Sequence, residues 1–319
     1  MPFTLSVPTT AGAELKFELA EGEVLFVVGA NGSGKSSLLH RFSMLQHGKS
    51  RRISAHRQTW FSQHFASLSP DHKRQLDEQV RGHDIQPYSR WKDDYSSQRP
   101  GMAIYDLLDA ENVRARHIAA AVTNGDLKLA AAKAQKNSPL AVINELLRLA
   151  GVPISLTVEQ NEQVLASRRQ GPPYSVVELS DGERNALLLA AEVLTVPPGT
   201  LVLVDEPERH LHRSIISPLL TLLFARRPDC AFVVSTHEIM LPLDNGSAKT
   251  LLVRDCTYSE QVAQRPLSAV TWDADLLDSA SGIDEALKRD ILGARRRVLF
   301  VEGNATTSLD APLYSLAGC

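Results

Sequence analysis

Cysteine is scarce in this chain of 319 residues: Cys230, Cys256 and Cys319 are the three present. They stand far apart, which excludes a zinc knuckle, a paired redox motif and a disulfide scaffold, and matches a reducing cytosol. No apolar run approaches the roughly 18 residues of a membrane span, and the opening MPFTLSVPTT has neither the basic start nor the apolar core of a secretion signal. The expectation is a soluble, cytoplasmic protein without a membrane partner. A surplus of positive charge is missing too. Lys and Arg number 34 against 37 Asp and Glu, a net charge of −3, so no chain-wide field draws the protein to nucleic acid and any DNA contact is local. Internal repeats, low-complexity tracts and sustained heptads are also absent.

With 43% hydrophobic and 22% charged residues the composition is that of a globular protein long enough for one large α/β domain with an insertion. FTLSV, ELKFEL and EVLFVVG read as strands, the last nearly all apolar and running straight into Gly29. From Ser36 to Met44 apolar residues recur at helical spacing, giving strand, glycine loop, helix. Between Trp60 and Pro172 helical runs dominate, with YDLLDAENVRARHIAAAV and PLAVINELLRLAG the clearest. The polar stretch from Pro70 to Pro100 reads as partly mobile. After Pro173 strands and helices alternate again: YSVVEL, a helix over 183–194, TLVLVDE, a helix over 214–224, and CAFVVSTHE. Four regions follow: the first half of an α/β domain at 1–60, a helical lobe at 61–172, the second half at 173–262, and a C-terminal extension at 263–319.

GANGSGKS, from Gly29 through Ala30, Asn31, Gly32, Ser33, Gly34 and Lys35 to Ser36, has the P-loop spacing in the strand-to-helix context the motif requires, with Ser37 following. Its glycines let backbone N–H groups converge on phosphate oxygens at a helix N-terminus. Lys35 is placed for the β- and γ-phosphates, and the Ser36 hydroxyl for Mg²⁺. LVLVDEPERHLH adds Asp205 as a second Mg²⁺ residue and Glu206 as the carboxylate that polarises an attacking water. In VVELSDGER, Ser180 and Glu183 also have the spacing of a capping box that opens a helix.

Leu179, Ser180, Asp181, Gly182 and Glu183 resemble the LSGGQ loop of the ABC ATPase superfamily, with Asp181 in place of a glycine and Glu183 in place of the glutamine. Over roughly residues 1–260 the motifs follow that family's order. The resemblance implies an α/β P-loop fold of ABC type with an antiparallel β-subdomain, an inserted helical lobe and a short C-terminal extension. It implies ATP and Mg²⁺ held between two heads of a homodimer or higher homo-oligomer, with Ser180, Asp181, Gly182 and Glu183 completing the partner's site. It makes His237 the switch histidine, Gln58 the glutamine that joins the metal to the lobe, with Gln63 as its competitor, and puts His210 and His212 in a dimer-facing loop. Arg52 and Arg57 are either phosphate or partner contacts or part of a solvated face.

SAHRQTW, LSDGER and DEPERHLH resemble the OLD-like and RecF-like ATPases, close to those of bacterial anti-phage systems such as PARIS. The VLFVEG strand ending at Glu302 and Gly303, followed by SLDAPLY, resembles the opening of a Toprim-like domain, but only 16 residues follow Gly303, too few for the aspartates such a nuclease needs. The expected role is therefore an ATPase that senses a phage protein trigger and controls a separate Toprim nuclease effector. A RecF-like DNA-repair ATPase, with Arg51 and Arg52 or Arg295, Arg296 and Arg297 as its basic patch, and an ATP-assembled scaffold with little hydrolysis are the competing expectations.

Overall fold

Alternation of apolar and polar residues makes β1 (Phe3–Pro8) and β2 (Glu14–Leu19) a two-stranded antiparallel sheet, with Phe3, Leu5 and Val7 buried. The computed structural model describes residues 2–54, 68–159, 163–169, 171–258 and 269–283. β3 (Val24–Val28) is apolar throughout and buried from Leu25 onward, as a strand covered on both faces must be. It leads through the glycine loop into α1 (Lys35–Leu45), which is followed by β4 (Ser50–Ser54).

The polar stretch after Pro70 is structured rather than mobile. It forms α2 (Pro70–Asp84), which begins where the Ser69 hydroxyl accepts the His72 N–H and Pro70 occupies the first turn. Leu76 and Val80, one helical turn apart, bury its apolar stripe against Met102. A short 3₁₀ turn at Pro87–Arg90 follows. The buried Arg99 guanidinium then bridges Asp84 at 2.6 Å and Asp93 at 2.8 Å, fixing the end of α2 to the start of α3 (Arg99–Thr123).

α4 (Leu127–Gln135) and α5 (Pro139–Leu149) complete the helices of this block. It also carries an antiparallel sheet that the helical reading did not anticipate, formed by β5 (Ile154–Val158), β6 (Val164–Arg168) and β7 (Tyr174–Ser175). Of the YSVVEL segment, only Tyr174 and Ser175 are strand. The Ser175 hydroxyl accepts the Val177 N–H, and the chain turns into a 3₁₀ segment at Val176–Glu178.

The remaining elements are α6 (Asp181–Thr195), β8 (Leu201–Asp205), α7 (Arg213–Arg226), β9 (Ala231–Thr236), α8 (Met240–Asp244), β10 (Lys249–Tyr258) and β11 (Ala269–Leu277). One six-stranded sheet runs in the order β11-β10-β3-β9-β8-β4, parallel except for β11, which pairs antiparallel with β10. Residues alternate between two cores. Phe26, Val204 and Val234 face α5, α6 and α7, whereas Val27, Leu203 and Val233 face α1 and the β1–β2 sheet. The registers Val28↔Thr236 and Asp205↔Ser235 bring the C-terminal ends of β3, β9 and β8 side by side, the edge where open α/β sheets place their chemistry. None of the described helices is long and apolar enough to cross a membrane.

Candidate functional site

The glycine loop leaves β3 at a point that admits no side chain. A Cβ on Gly29 would lie 2.2 Å from the Val253 carbonyl oxygen. Gly32 and Gly34 adopt φ of +86° and +89°, the left-handed region that favours glycine. Gly34 is pressed from behind by β10 and β11: its Cβ would meet Cys256 Sγ at 2.7 Å and Trp272 Nε1 at 2.9 Å, and the buried Trp272 ring donates to the Gly34 carbonyl at 3.2 Å. Lys35, 4% exposed, donates from Nζ to the carbonyls of Gly29 and Ala30 at 2.9 and 3.0 Å. Burial pushes its ammonium below the ordinary lysine range, opposed by the charges of Glu206, Glu208 and Asp205.

Across the sheet edge, Asp205 is fully buried at the end of β8. Its Oδ1 accepts the Ser36 hydroxyl at 3.1 Å and the Ser235 hydroxyl at 2.5 Å. The next residue, Glu206, takes φ +50° and ψ +58°, a rare conformation for a residue other than glycine and rarer still before proline. Ser235 holds it there, its carbonyl and hydroxyl oxygens accepting the Glu206 N–H at 3.1 and 3.2 Å. The Glu206 carboxylate then stands 4.0 Å from Lys35 Nζ and 3.7 Å from the Arg209 guanidinium. Ser36, Asp205, Glu206 and Lys35 thus lie together. The donor set suits ATP and Mg²⁺: a hard hydroxyl–carboxylate oxygen pair for the cation, and, inside the loop, a buried Ser33 hydroxyl with no hydrogen-bond partner.

His237 follows β9 and is 42% exposed. Its backbone N–H and the Thr236 hydroxyl both donate to Glu208 Oε1, at 3.0 and 2.7 Å, and its ring Nδ1 stands 3.0 Å from the same oxygen without hydrogen-bond alignment. Glu208 is therefore a site residue that sequence reasoning missed. It lies within the quoted DEPERHLH block, two positions after Glu206. His212 accepts the Ser214 N–H and caps α7.

Ser180 opens α6 with a complete capping box. Its N–H and hydroxyl donate to Glu183 Oε2 at 3.0 and 2.6 Å, and Arg168 closes on the same carboxylate at 2.6 Å. Burial raises the Glu183 pKa, but the donors from Arg168 and Ser180 outweigh it and hold the carboxyl below its ordinary value. Gly182 lies near the His210 carbonyl, 3.6 Å from where its Cβ would be. Asp181 pairs with Arg184 at 3.3 Å. Among the described residues, these four bond with one another and with their neighbours, and the structure does not bring them to the chain's own glycine loop.

Arg52 is not part of a solvated face. It is fully buried, 3.0 Å from Asp205 Oδ2, and donates to the Ser89 hydroxyl at 3.3 Å. Arg51, on the opposite face of β4, pairs with Asp77 at 3.5 Å and Glu192 at 3.9 Å. Both arginines are committed internally, which removes them from the expected basic patch. Gln58, Gln63, Arg57, the arginines at 295–297 and the Glu302–Gly303 ending lie outside the described residues.

The arrangement of glycine loop, adjoining carboxylates and capped loop on a parallel sheet is that of an AAA-type P-loop ATPase of ABC-like kind, a class that works on ATP with Mg²⁺. The chain belongs to the family described as "AAA domain, putative AbiEii toxin, Type IV TA system", which matches residues 47–244, more than half its length. It is similar to the lipoprotein-releasing system ATP-binding protein LolD of Bordetella pertussis, 27% identical over 228 residues that cover 71% of this chain and 78% of that one. It is also similar to the dipeptide transport ATP-binding protein DppD of Haemophilus influenzae, 26% identical over 261 residues, 81% of this chain and 66% of that one. Among solved structures, an SmcHead bound to the C-winged helix domain of ScpA aligns with a TM-score of 0.46 at 14% identity, covering 86% of this chain and 97% of that one.

Proposed function

We propose that this chain is an ATPase head that pairs with a second copy through bound nucleotide and uses hydrolysis to open the pair. The observation that carries the reading is the convergence of Lys35, Ser36, Asp205 and Glu206 at one sheet edge, while Ser180 and Gly182 are organised at the start of α6 without contacting that edge. A capped helix N-terminus exposes further N–H donors and a positive dipole end, which suits the phosphate of a facing copy.

ATP with Mg²⁺, when bound, supplies the transferable γ-phosphoryl group and the cation that neutralises its charge. On this reading Lys35 exchanges its loop carbonyls for phosphate oxygens. Ser36 and Asp205 would hold the metal, with Gln58 as a third residue. Glu206, beside Lys35 and Arg209, accepts a proton from the attacking water at its carboxylate. His237, steadied by Glu208, orients toward the terminal phosphate.

The wider role belongs to the same proposal: a cytoplasmic sensor and scaffold that answers a phage protein and controls a Toprim nuclease effector. Its support is the likeness of SAHRQTW, LSDGER and DEPERHLH to OLD-like and RecF-like ATPases close to those of anti-phage systems, and of SLDAPLY to a Toprim-like domain. The internal pairing of Arg51 and Arg52 weakens the DNA-repair alternative.

Solution mass of wild type and of Glu206→Gln, with and without ATP and Mg²⁺, tests the head-pairing reading. An ATP-dependent dimer that persists in Glu206→Gln and dissociates on turnover in wild type is the expected result. A mass independent of nucleotide in both proteins overturns it.

A further inference from the structure

The antiparallel sheet β5-β6-β7 delivers an arginine to the capped loop. β6 ends on Arg168, and β7 leads through the 3₁₀ segment at Val176–Glu178 to Ser180, so both partners leave the same sheet. Past Arg168 the chain turns back tightly. Arg169 takes φ +46°, and the Gly171 N–H donates to the Arg168 carbonyl at 2.7 Å, where a Cβ on Gly171 would come within 2.9 Å of that oxygen. Arg168 then lays a two-pronged fork on Glu183, from Nε to Oε1 at 3.0 Å and from Nη2 to Oε2 at 2.6 Å, with the Tyr174 phenol beside it.

The fork matters because of what else Glu183 holds. Its Oε2 also accepts the N–H and the hydroxyl of Ser180. A hydroxyl has one proton, so Ser180 cannot donate to Glu183 and to a phosphate at once. An acid in the first helical turn suits the helix dipole but repels an arriving phosphate. Asp181 is neutralised within α6 itself, by Arg184 three positions on. Glu183, 9% exposed, draws its arginine from another element, and that arginine is 54% exposed. If the Ser180 hydroxyl turns outward, Glu183 keeps the Ser180 N–H and both Arg168 bonds, and its charge stays paired. Without Arg168 the same turn strands a carboxylate beside the phosphate, which holds the hydroxyl back.

We propose that Arg168 is a positioning residue that acts in trans: it neutralises Glu183, so that Ser180 can release its hydroxyl to the phosphate held by a second copy. This rests on the head-pairing reading. Arg168 does not itself touch nucleotide, and the glycine loop of its own chain does not depend on it.

The test is the dimer dissociation constant by sedimentation, with Mg²⁺ and a non-hydrolysable ATP analogue, for wild type, Arg168→Ala, Glu183→Gln and the double variant. ADP affinity of each is measured alongside by titration calorimetry. Losing the charged partner of Glu183 is expected to weaken pairing about tenfold in Arg168→Ala, with ADP affinity unchanged. In the Glu183→Gln chain, whose amide is uncharged but still accepts the Ser180 N–H, adding Arg168→Ala is expected to weaken pairing by no more than about twofold. Arg168→Lys, which keeps the charge but not the fork, falls between wild type and alanine and is read in its place if the alanine variant does not fold. Wild-type pairing in Arg168→Ala, an equal loss in both backgrounds, or a parallel loss of ADP affinity overturns the inference and leaves the head-pairing reading standing. If wild type binds nucleotide but never pairs, the head-pairing reading fails and takes the inference with it.

Discussion

Arg52 and Asp205 form an ion pair at 3.0 Å in which both side chains are fully buried, 153 positions apart in sequence. The pair holds Oδ2 of the carboxylate while Oδ1 faces Ser36 and Ser235. Arg52 thereby fixes the orientation of the residue proposed to meet Mg²⁺. Removing one member of a buried pair strands the other charge, so Arg52→Met is expected to lower stability by about 3–5 kcal/mol. Asp205→Asn in the same chain should restore part of that loss, a non-additivity that urea unfolding of the two single variants and the double variant measures. A loss under 1 kcal/mol, on the scale of an exposed pair, would show that the pair does not form.

Glycine substitutions in the loop should separate two kinds of cost. Gly32 and Gly34 share a positive φ, but a Cβ on Gly32 meets nothing within 4 Å, while one on Gly34 meets Cys256 and Trp272 at under 3 Å. Gly32→Ala carries backbone strain alone, about 1–2 kcal/mol. Gly34→Ala adds overpacking of a further 1–3 kcal/mol or so, and should also displace the loop from its Trp272 buttress. Thermal unfolding and nucleotide affinity of the two variants should rank Gly34→Ala clearly below Gly32→Ala; equal effects would show that β10 and β11 do not brace the loop.

Much of the sheet edge is legible in the sequence because strong local signals coincide there. An all-apolar strand runs into spaced glycines at 24–34, and a second one ends on Asp205. Arg52 is illegible for the opposite reason. Beside Arg51 it reads as a charged surface, and its partners Asp205 and Ser89 come from distant elements that only the folded sheet assembles. The helix at Pro70–Asp84 hides behind polar composition, although Ser69, Pro70 and the Leu76–Val80 spacing are a start signal and a buried stripe. β11 escapes because its tie to the glycine loop, through Trp272, spans 238 positions.

Glu192 gives a pH dependence of defined sign. It sits on α6 and lines a cavity of about 430 Å³ with Arg51, Lys73 and Asp106. Burial raises its pKa above the ordinary 4.5; Arg51 and Arg99 pull it down, and Asp84 and Asp106 add to the rise. The folded chain then binds this proton up to a higher pH than the unfolded chain, so stability falls as pH rises from 4.5 through the raised value. Glu192→Gln removes that term while keeping the shape. Denaturant unfolding across pH 4.5–8 should show the variant gaining on wild type as pH increases; a gap that is constant or shrinks with pH contradicts the assignment.

Glu208 allows positioning to be separated from chemistry, because it holds the chain at Thr236 and His237, where β9 ends. Its buried Oε1 receives both the Thr236 hydroxyl and the His237 N–H, and it is the shared acceptor that fixes where the histidine leaves the strand. Glu208→Ala deprives two donors of that partner and should cost about 1–3 kcal/mol in stability. If His237 acts on the terminal phosphate, a misplaced ring lowers turnover more than affinity, since the ground-state nucleotide is still held by the glycine loop. Steady-state ATPase assays are expected to show kcat reduced about tenfold or more with KM changed little. Glu208→Gln, which retains an acceptor oxygen, should recover much of the stability. Equal loss in kcat and affinity, or full activity in Glu208→Ala, would place the control of His237 elsewhere.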